Sequence, residues 1–306
     1  MKILATGGAG FIASHVVDAL VEKGHEVAVV DNLYCGYLQN INPKATFHQL
    51  DIGDPKIQDL VADFKPEVVI HHAAQMDVRK SVSDPMFDAT TNVIGSLNLL
   101  EACRKNGVRK FMFSSTGGAI YGEQDYFPAD EEHPLRPLSP YGITKLCLEK
   151  YLFYYKEVFG LEHVILRYGN IYGPRQNPHG EAGVIAIFIK KIVAGEQPII
   201  NGAGTQTRDY TFVGDVVQAN LLALDYKKSG IFNVGTGIET DVNRLFAVIN
   251  NALGNPAKEV HAESKAGEQQ RSVLSTKKIQ SELGWKQKMS LEEGLQITVD
   301  WFKSQQ

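Results

Sequence analysis

The sequence predicts an α/β fold, a doubly wound parallel sheet followed by a smaller C-terminal α/β unit, and three observations carry that prediction. The first is a strand, turn, helix and strand in immediate succession. Lys2–Thr6 is a short apolar strand and Gly7-Gly8-Ala9-Gly10 a turn. Phe11, Ile12, Val16, Leu20 and Val21 then recur at helical spacing up to Gly24, and Glu26–Asp31 is a second strand. Strands joined through a helix lie parallel, and the crossover is right-handed. The second observation is that the alternation continues. Thr46–Leu50, Glu67–His71, Arg109–Ser114 and Leu161–Tyr168 read as strands, and Ile57–Phe64, Asp88–Arg104 and Ser139–Phe159 as helices. The third is the make-up of the strands, where runs such as VAVV and VVI fit strands covered on both faces.

After Tyr168 the alternation loosens. Helices are expected over Ala182–Ala194, Asp215–Leu224, Thr240–Leu253, Thr276–Leu283 and Leu291–Phe302, with short strands at Pro198–Ile200, Ile231–Val234 and Glu259–Ala262. The reading is a first domain over 1–168 and a second over 169–306, with segments around 205–237 as candidates to rejoin the first. The functional cleft is expected between them.

Composition narrows the function. The chain has 306 residues, 43% of them hydrophobic, enough for a full core, and a formal net charge of −4. No basic stripe is present, which argues against nucleic acid as a partner. The 3 cysteines are scattered and odd in number, which argues against a disulfide framework and for a reducing cytoplasm. No apolar run approaches the length of a membrane span. His71-His72 is a poor metal pair, because adjacent strand residues point to opposite faces. No metal site is expected.

Two motifs carry chemistry. Gly8-Ala9-Gly10-Phe11-Ile12-Ala13 follows a strand and opens a helix, the context in which a G-x-G-x-x-[G/A] turn lets backbone approach a pyrophosphate at the helix N-terminus. Asp31 closes the second strand 21 residues after Gly10, where a carboxylate takes ribose hydroxyls and repels a 2′-phosphate. The expected cofactor is therefore NAD, bound on a Rossmann-type sheet. The second motif is Tyr141 and Lys145, one turn apart at the start of a helix. A nearby cation favours phenolate, so Tyr141 is the candidate general base.

With both motifs in hand the chain resembles an extended short-chain dehydrogenase/reductase, of the nucleotide-sugar 4-epimerase type. The resemblance runs through TGGAGFIASH (Thr6–His15), DNL (Asp31–Leu33), HHAA (His71–Ala74), TNVIGSLNLLEA (Thr91–Ala102), SSTGGAIYG (Ser114–Gly122), SPYGITK (Ser139–Lys145), RYGNIYGPRQ (Arg167–Gln176) and RDYTFVGD (Arg208–Asp215). It implies NAD contacts from Gly7, Gly10, Phe11, Ile12, Asp31 and Asn32, with Asp51 and Ile52 flanking the adenine. Ala73, Ala74 and Gln75 would line the groove, beside Ser114 and Tyr168, and Asn92 would support the helix next to the site. Tyr141, Lys145 and Thr116 would be catalytic, with Thr116 on the sugar 4-oxygen. The loop after Thr116 is one residue longer than the commoner form, which leaves Ser115 as the alternative.

Asn170 and Arg208 would hold the substrate diphosphate. Lys265 stands where many relatives carry an arginine for the same group, and Arg271 is the alternative guanidinium. Met76 replaces a lysine found in some epimerases. The implied reaction interconverts UDP-glucose and UDP-galactose through a 4-keto sugar. The small Ser272 extends the expectation to UDP-GlcNAc and UDP-GalNAc. Gly117-Gly118 lacks the acid pair of 4,6-dehydratases and the glutamate of UDP-glucuronate decarboxylases. UDP-glucuronate 4-epimerisation is a related alternative, and an NAD-binding regulator the non-enzymatic one. Relatives pair two helices, here Asp88–Arg104 and Tyr141–Phe159, into a homodimer.

Overall fold

The computed structural model describes residues 1–178, 183–264 and 269–305. The first half runs β1 (Lys2–Thr6), α1 (Phe11–Glu22), β2 (Glu26–Asp31), β3 (Thr46–Gln49), α2 (Lys56–Phe64), β4 (Val68–His71), α3 (Val78–Ser83) and α4 (Pro85–Ala89). A π-helical segment (Thr90–Gly95) leads into α5 (Ser96–Lys105), β5 (Lys110–Thr116), α6 (Pro140–Phe159) and β6 (Glu162–Tyr168). Then come β7 (Asn170–Tyr172), α7 (Val184–Val193), β8 (Ile200–Asn201), β9 (Thr207–Phe212), α8 (Val213–Asp225), β10 (Gly230–Val234) and β11 (Glu239–Asp241). The chain closes with α9 (Val242–Ala252), β12 (His261–Ala262), β13 (Arg271–Ser272), α10 (Lys277–Leu283) and α11 (Leu291–Ser304).

Seven parallel strands form one sheet in the order β10-β6-β5-β4-β1-β2-β3. Side chains alternate across it. Ile3, Val29, Ile70, Met112 and Val164 point to one face, where α1 and α8 pack through Val16, Leu20, Val216 and Ala219. Leu4, Ala28, Val69, Phe111 and Ile165 point to the other, covered by α2, α5 and α6 through Ile57, Val61, Leu99, Leu148 and Leu152. That double covering is why the strands read as continuous apolar runs. The strand order reverses between β1 and β4, and ligands of such sheets bind at the carboxyl ends beside that point.

The second lobe has a sheet of β11, β9 and β13 with β7 alongside β9, and a separate β8–β12 pair. Its core joins α7, α9 and α11 through Phe188, Ile189, Leu245, Ile249, Leu295 and Val299. The chain does not change lobes at one point. α8 and β10 return to the large sheet, and Ile279 of α10 with Trp285 packs into the same core.

Two stretches differ from the sequence reading. Residues 88–104, expected as one helix, are broken by the π-helical segment, and there Ser96 Oγ donates to the Asn92 carbonyl (2.6 Å). The strands of the small sheet carry no strong apolar alternation and are set by pairing across distant segments, so β7, β9, β11 and β13 were not anticipated.

Candidate active site

A cleft of about 590 Å³ opens at the carboxyl ends of the large sheet. Gly7, Gly10, Phe11, Ile12, Asp31, Asn32, Asp51, Ile52, Ala73, Ala74 and Gln75 line one part of it. Ser114, Ser115, Thr116, Tyr141, Lys145, Tyr168 and Asn170 line another.

The dinucleotide end is built from backbone. Gly7 has φ +72, and a Cβ there would stand 2.7 Å from the Ala73 nitrogen, so only glycine lets β1 and β4 approach at this turn. α1 is preceded by Gly10, which offers no side-chain cap, and the first amides of the helix, at cleft-lining Phe11, Ile12 and Ala13, are free for an anion. Asp31 Oδ2 accepts from the Ala9 N–H (3.0 Å) and Oδ1 from the Leu33 N–H (2.8 Å), fixing the carboxylate at the end of β2. Asn32 Nδ2 donates to Asp51 Oδ2 (2.6 Å), joining the two loops that frame the expected adenine pocket. These features fit a pyrophosphate on the helix end and a ribose on the carboxylate, the requirements of NAD.

The reactive end depends on α6. Ser139 caps the helix by accepting from the Gly142 N–H (3.1 Å), and Pro140 occupies its first turn. A Cβ on Gly142 would meet the Ala119 carbonyl at 2.8 Å, so the helix start lies directly against the loop after β5. That contact brings Tyr141 and Thr116 to one cleft. Lys145 Nζ donates to the Ser114 carbonyl (2.9 Å), lies 4.7 Å from the Phe113 ring centroid, and stands 5.8 Å from that of Tyr141.

The electrostatics correct one expectation. Burial raises the Tyr141 phenol above its ordinary value and Asp88 adds to the rise. Burial also lowers the Lys145 ammonium to about 8, against the opposing pull of Asp88 and Glu149. Within the protein alone, Lys145 does not make Tyr141 acidic. Removing the phenol from water and placing it near a carboxylate set its acidity.

The two candidate hydroxyls both line the cleft but differ in their partners. Ser115 Oγ donates to Glu149 Oε1 (2.6 Å), and Glu149 is held by Arg167 through Nε (3.0 Å) and Nη2 (2.6 Å) in a fully buried ion pair. Thr116 lies at the cleft wall. The next residues matter as well: a Cβ on Gly117 would strike Leu274 at 2.5 Å. On Gly118 it would have room, 3.7 Å from Asn170 Oδ1 and 3.9 Å from Thr116 Oγ1.

Other expected residues lie elsewhere. Asn92 sits behind the cleft, where its Oδ1 accepts from the Gln75 N–H (2.8 Å) and its Nδ2 donates to the Gln75 carbonyl (2.9 Å). Arg208, on β9, does not line the cleft but shares a strand face with Tyr210, which does. Arg271 does not reach the cleft either. Its guanidinium pairs with Glu239 (2.6 and 3.0 Å) and lies over the Phe127 ring (3.7 Å). Lys265 is outside the described residues. His71 bridges Thr6 Oγ1 (2.7 Å) and Ser96 Oγ (2.9 Å), a buried polar link. Among the described residues there is no cluster fit to hold a metal ion, and no helix long and apolar enough to cross a membrane.

The sequence reading missed His72, Gln176, Asn177 and Tyr210 on the cleft wall, although all four fall within or beside the quoted motifs. His72 hydrogen-bonds the Tyr168 hydroxyl (3.2 Å), and burial lowers its pKa to about 3, so it is a neutral imidazole. The larger omission was Asp88, a buried carboxylate behind Tyr141.

Comparison with known proteins agrees with this geometry. A UDP-glucose 4-epimerase of Mycolicibacterium smegmatis is 43% identical over 310 residues, covering 99% of each chain. The structure of a UDP-glucose 4-epimerase from Thermotoga maritima with UDP-glucose superposes with a TM-score of 0.98 at 48% identity, covering 100% of this chain and 99% of the other. That of a Thermus thermophilus UDP-glucose 4-epimerase complex with NAD gives 0.93 at 44% identity, with 99% of each covered. Residues 3–235 match the pattern of the NAD dependent epimerase/dehydratase family, and the chain belongs to that family.

Proposed function

We propose that the protein is a UDP-glucose 4-epimerase that interconverts UDP-glucose and UDP-galactose, with NAD as its resident cofactor. The observation that carries this reading is the cleft itself. It joins a dinucleotide cradle at Gly7, Gly10 and Asp31 to a Thr116, Tyr141 and Lys145 cluster, with glycine rather than an acid at position 118 beside Thr116 and Asn170.

Bound NAD supplies the acceptor for the C4 hydride and a positive charge next to the phenol. The chain's own residues do the rest. Thr116 hydrogen-bonds the sugar 4-oxygen, and Tyr141 removes the proton from that hydroxyl and later returns it. Lys145 holds the phenol oriented and favours its ionised form once the site is charged. Asn170 on the cleft wall, with Arg208 on the strand face next to it, would grip the diphosphate while the sugar turns within the cleft to present its opposite face. A 4,6-dehydratase must also eliminate water, which needs an acid and a base beside the hydroxyl. Gly118 is the position with room for such a side chain, and it has none.

Three finer points belong to the proposal. Ser272 is small and buried on β13, next to Arg208 across the strand pair, which favours acceptance of N-acetylated sugars as well. Phe153, Tyr154, Val158 and Phe159 leave an exposed apolar face on α6, the face that a homodimer would cover. The cell compartment proposed is the cytoplasm. Incubation with UDP-galactose and no added reductant, followed by product identification, tests the reaction. Recovery of unchanged substrate, or of a 4-keto-6-deoxy sugar, would refute it.

A further inference from the structure

Behind the Tyr141 and Lys145 pair lies a carboxylate with no cation bonded to it. Asp88 is fully shielded from solvent, and its partners are all neutral. Gln75 Nε2 (2.9 Å) and Asn92 Nδ2 (3.1 Å) donate to Oδ1, and Thr144 Oγ1 (2.9 Å) donates to Oδ2. Those partners come from the loop after β4, the π-helical segment and α6. Thr144 precedes Lys145 directly, and its hydroxyl also lies 3.0 Å from the Tyr141 carbonyl. A buried carboxylate held only by neutral donors is expensive, and a nearby positive charge is what offsets it.

Other titratable groups lie near Lys145 or share its cleft. Glu149, one turn along α6, is closed in a paired bond with Arg167 of β6. His71 and His72 of β4 are both kept neutral by burial, and burial likewise keeps the Tyr168 phenol of β6 protonated. Among the described residues Asp88 is thus the negative charge acting on Lys145 that no cation pairs, and its charge reaches Tyr141 too.

We propose that Asp88 is a positioning residue for the proton transfer. Its carboxylate keeps Lys145 an ammonium inside a dry site and, through Thr144, fixes the turn of α6 from which Tyr141 and Lys145 reach the cleft. This rests on the roles given above to those two residues.

Asp88→Asn removes the charge and keeps the shape. The carboxylate favours the protonated forms of both neighbours, so its loss moves both limbs of the kcat/KM profile to lower pH, by about one unit. NAD affinity, read by quenching of protein fluorescence, and Tm stay near the wild-type values. Asp88→Glu, which retains the charge, restores the limbs. Should Asp88→Asn not fold, Asp88→Ser reads the same shift. A profile lowered equally at every pH, or one superimposable on wild type, overturns the proposal. A wild-type protein inactive on UDP-galactose overturns the functional reading instead, and that control is run first.

Discussion

Arg208 pairs with Ser272 between β9 and β13, whereas Arg271 pairs with Thr207, so the two guanidiniums leave opposite faces of the small sheet. Arg208 shares its face with Tyr210 on the cleft wall. Arg271 is engaged with Glu239 on the far side. One diphosphate cannot use both. Arg208→Ala should raise KM for UDP-glucose by about tenfold or more, since a hydrogen bond to a charged group contributes roughly 1.5–3 kcal/mol. Arg271→Ala should leave KM within about threefold, because its guanidinium is held on Glu239 away from the cleft. Steady-state kinetics on both variants decide it, and equal losses would mean that the face assignment fails.

Thr116 and Ser115 should fail in different ways. Thr116→Val should lower kcat by about 10² to 10³ while leaving Tm close to wild type, if its hydroxyl serves the substrate. Ser115→Ala removes a donor from the buried Glu149 carboxylate (2.6 Å) and should cost about 1.5–3 kcal/mol of stability, with modest kinetic effect. Thermal melts paired with turnover measurements separate the two.

Tyr141→Phe keeps the ring and removes the hydroxyl proposed to take the proton. Turnover should fall by at least about 10³, while NAD binding by fluorescence titration is unchanged, because the dinucleotide cradle lies at Gly7 to Ala13 and Asp31. Near-normal activity would remove Tyr141 from the mechanism.

The pH dependence follows from Lys145, whose pKa burial lowers to about 8 from 10.5. Activity that needs the ammonium should decline as pH rises through about 8. Stability runs the other way for this group. The folded chain gives up the proton more readily than the unfolded chain, so the cost of burying the charge is full below about pH 8 and lifts toward 10.5. Lys145→Met should therefore abolish the alkaline limb of any residual activity, and chemical denaturation across pH 7 to 10 should show a flatter stability curve than wild type. A residual-activity profile with its alkaline limb still near pH 8 would count against Lys145.

Arg167 is the guanidinium that makes the floor of the site tolerable. It is 2% exposed, binds both oxygens of Glu149 and donates to the Tyr121 hydroxyl (3.0 Å), which in turn donates to Asn233 (2.7 Å). Arg167→Met leaves a buried carboxylate unpaired and should cost about 3–5 kcal/mol by chemical denaturation. The paired change with Glu149→Leu should recover much of that. If the single variant loses less than about 1 kcal/mol, the pair is not holding the strand to the helix.

Much of this was readable from local sequence. The βαβ opening, the glycine turn with Asp31 at the end of β2, and the Tyr141/Lys145 spacing each depend on residues within a turn or a crossover of one another, where backbone geometry leaves few choices. The covered strands showed themselves because both faces of the large sheet are apolar. What the sequence could not decide is set by contacts between residues far apart in the chain. The Ser115 hydroxyl is engaged by Glu149, and Arg271 faces away because β13 pairs with β9 in one register and not the next. Phenol acidity is governed by burial and by Asp88, which arrives from another helix. Spacing fixes what can be neighbours along one element, but only packing between elements fixes which groups lose water and which charges they meet, and that is where the chemistry of this cleft was decided.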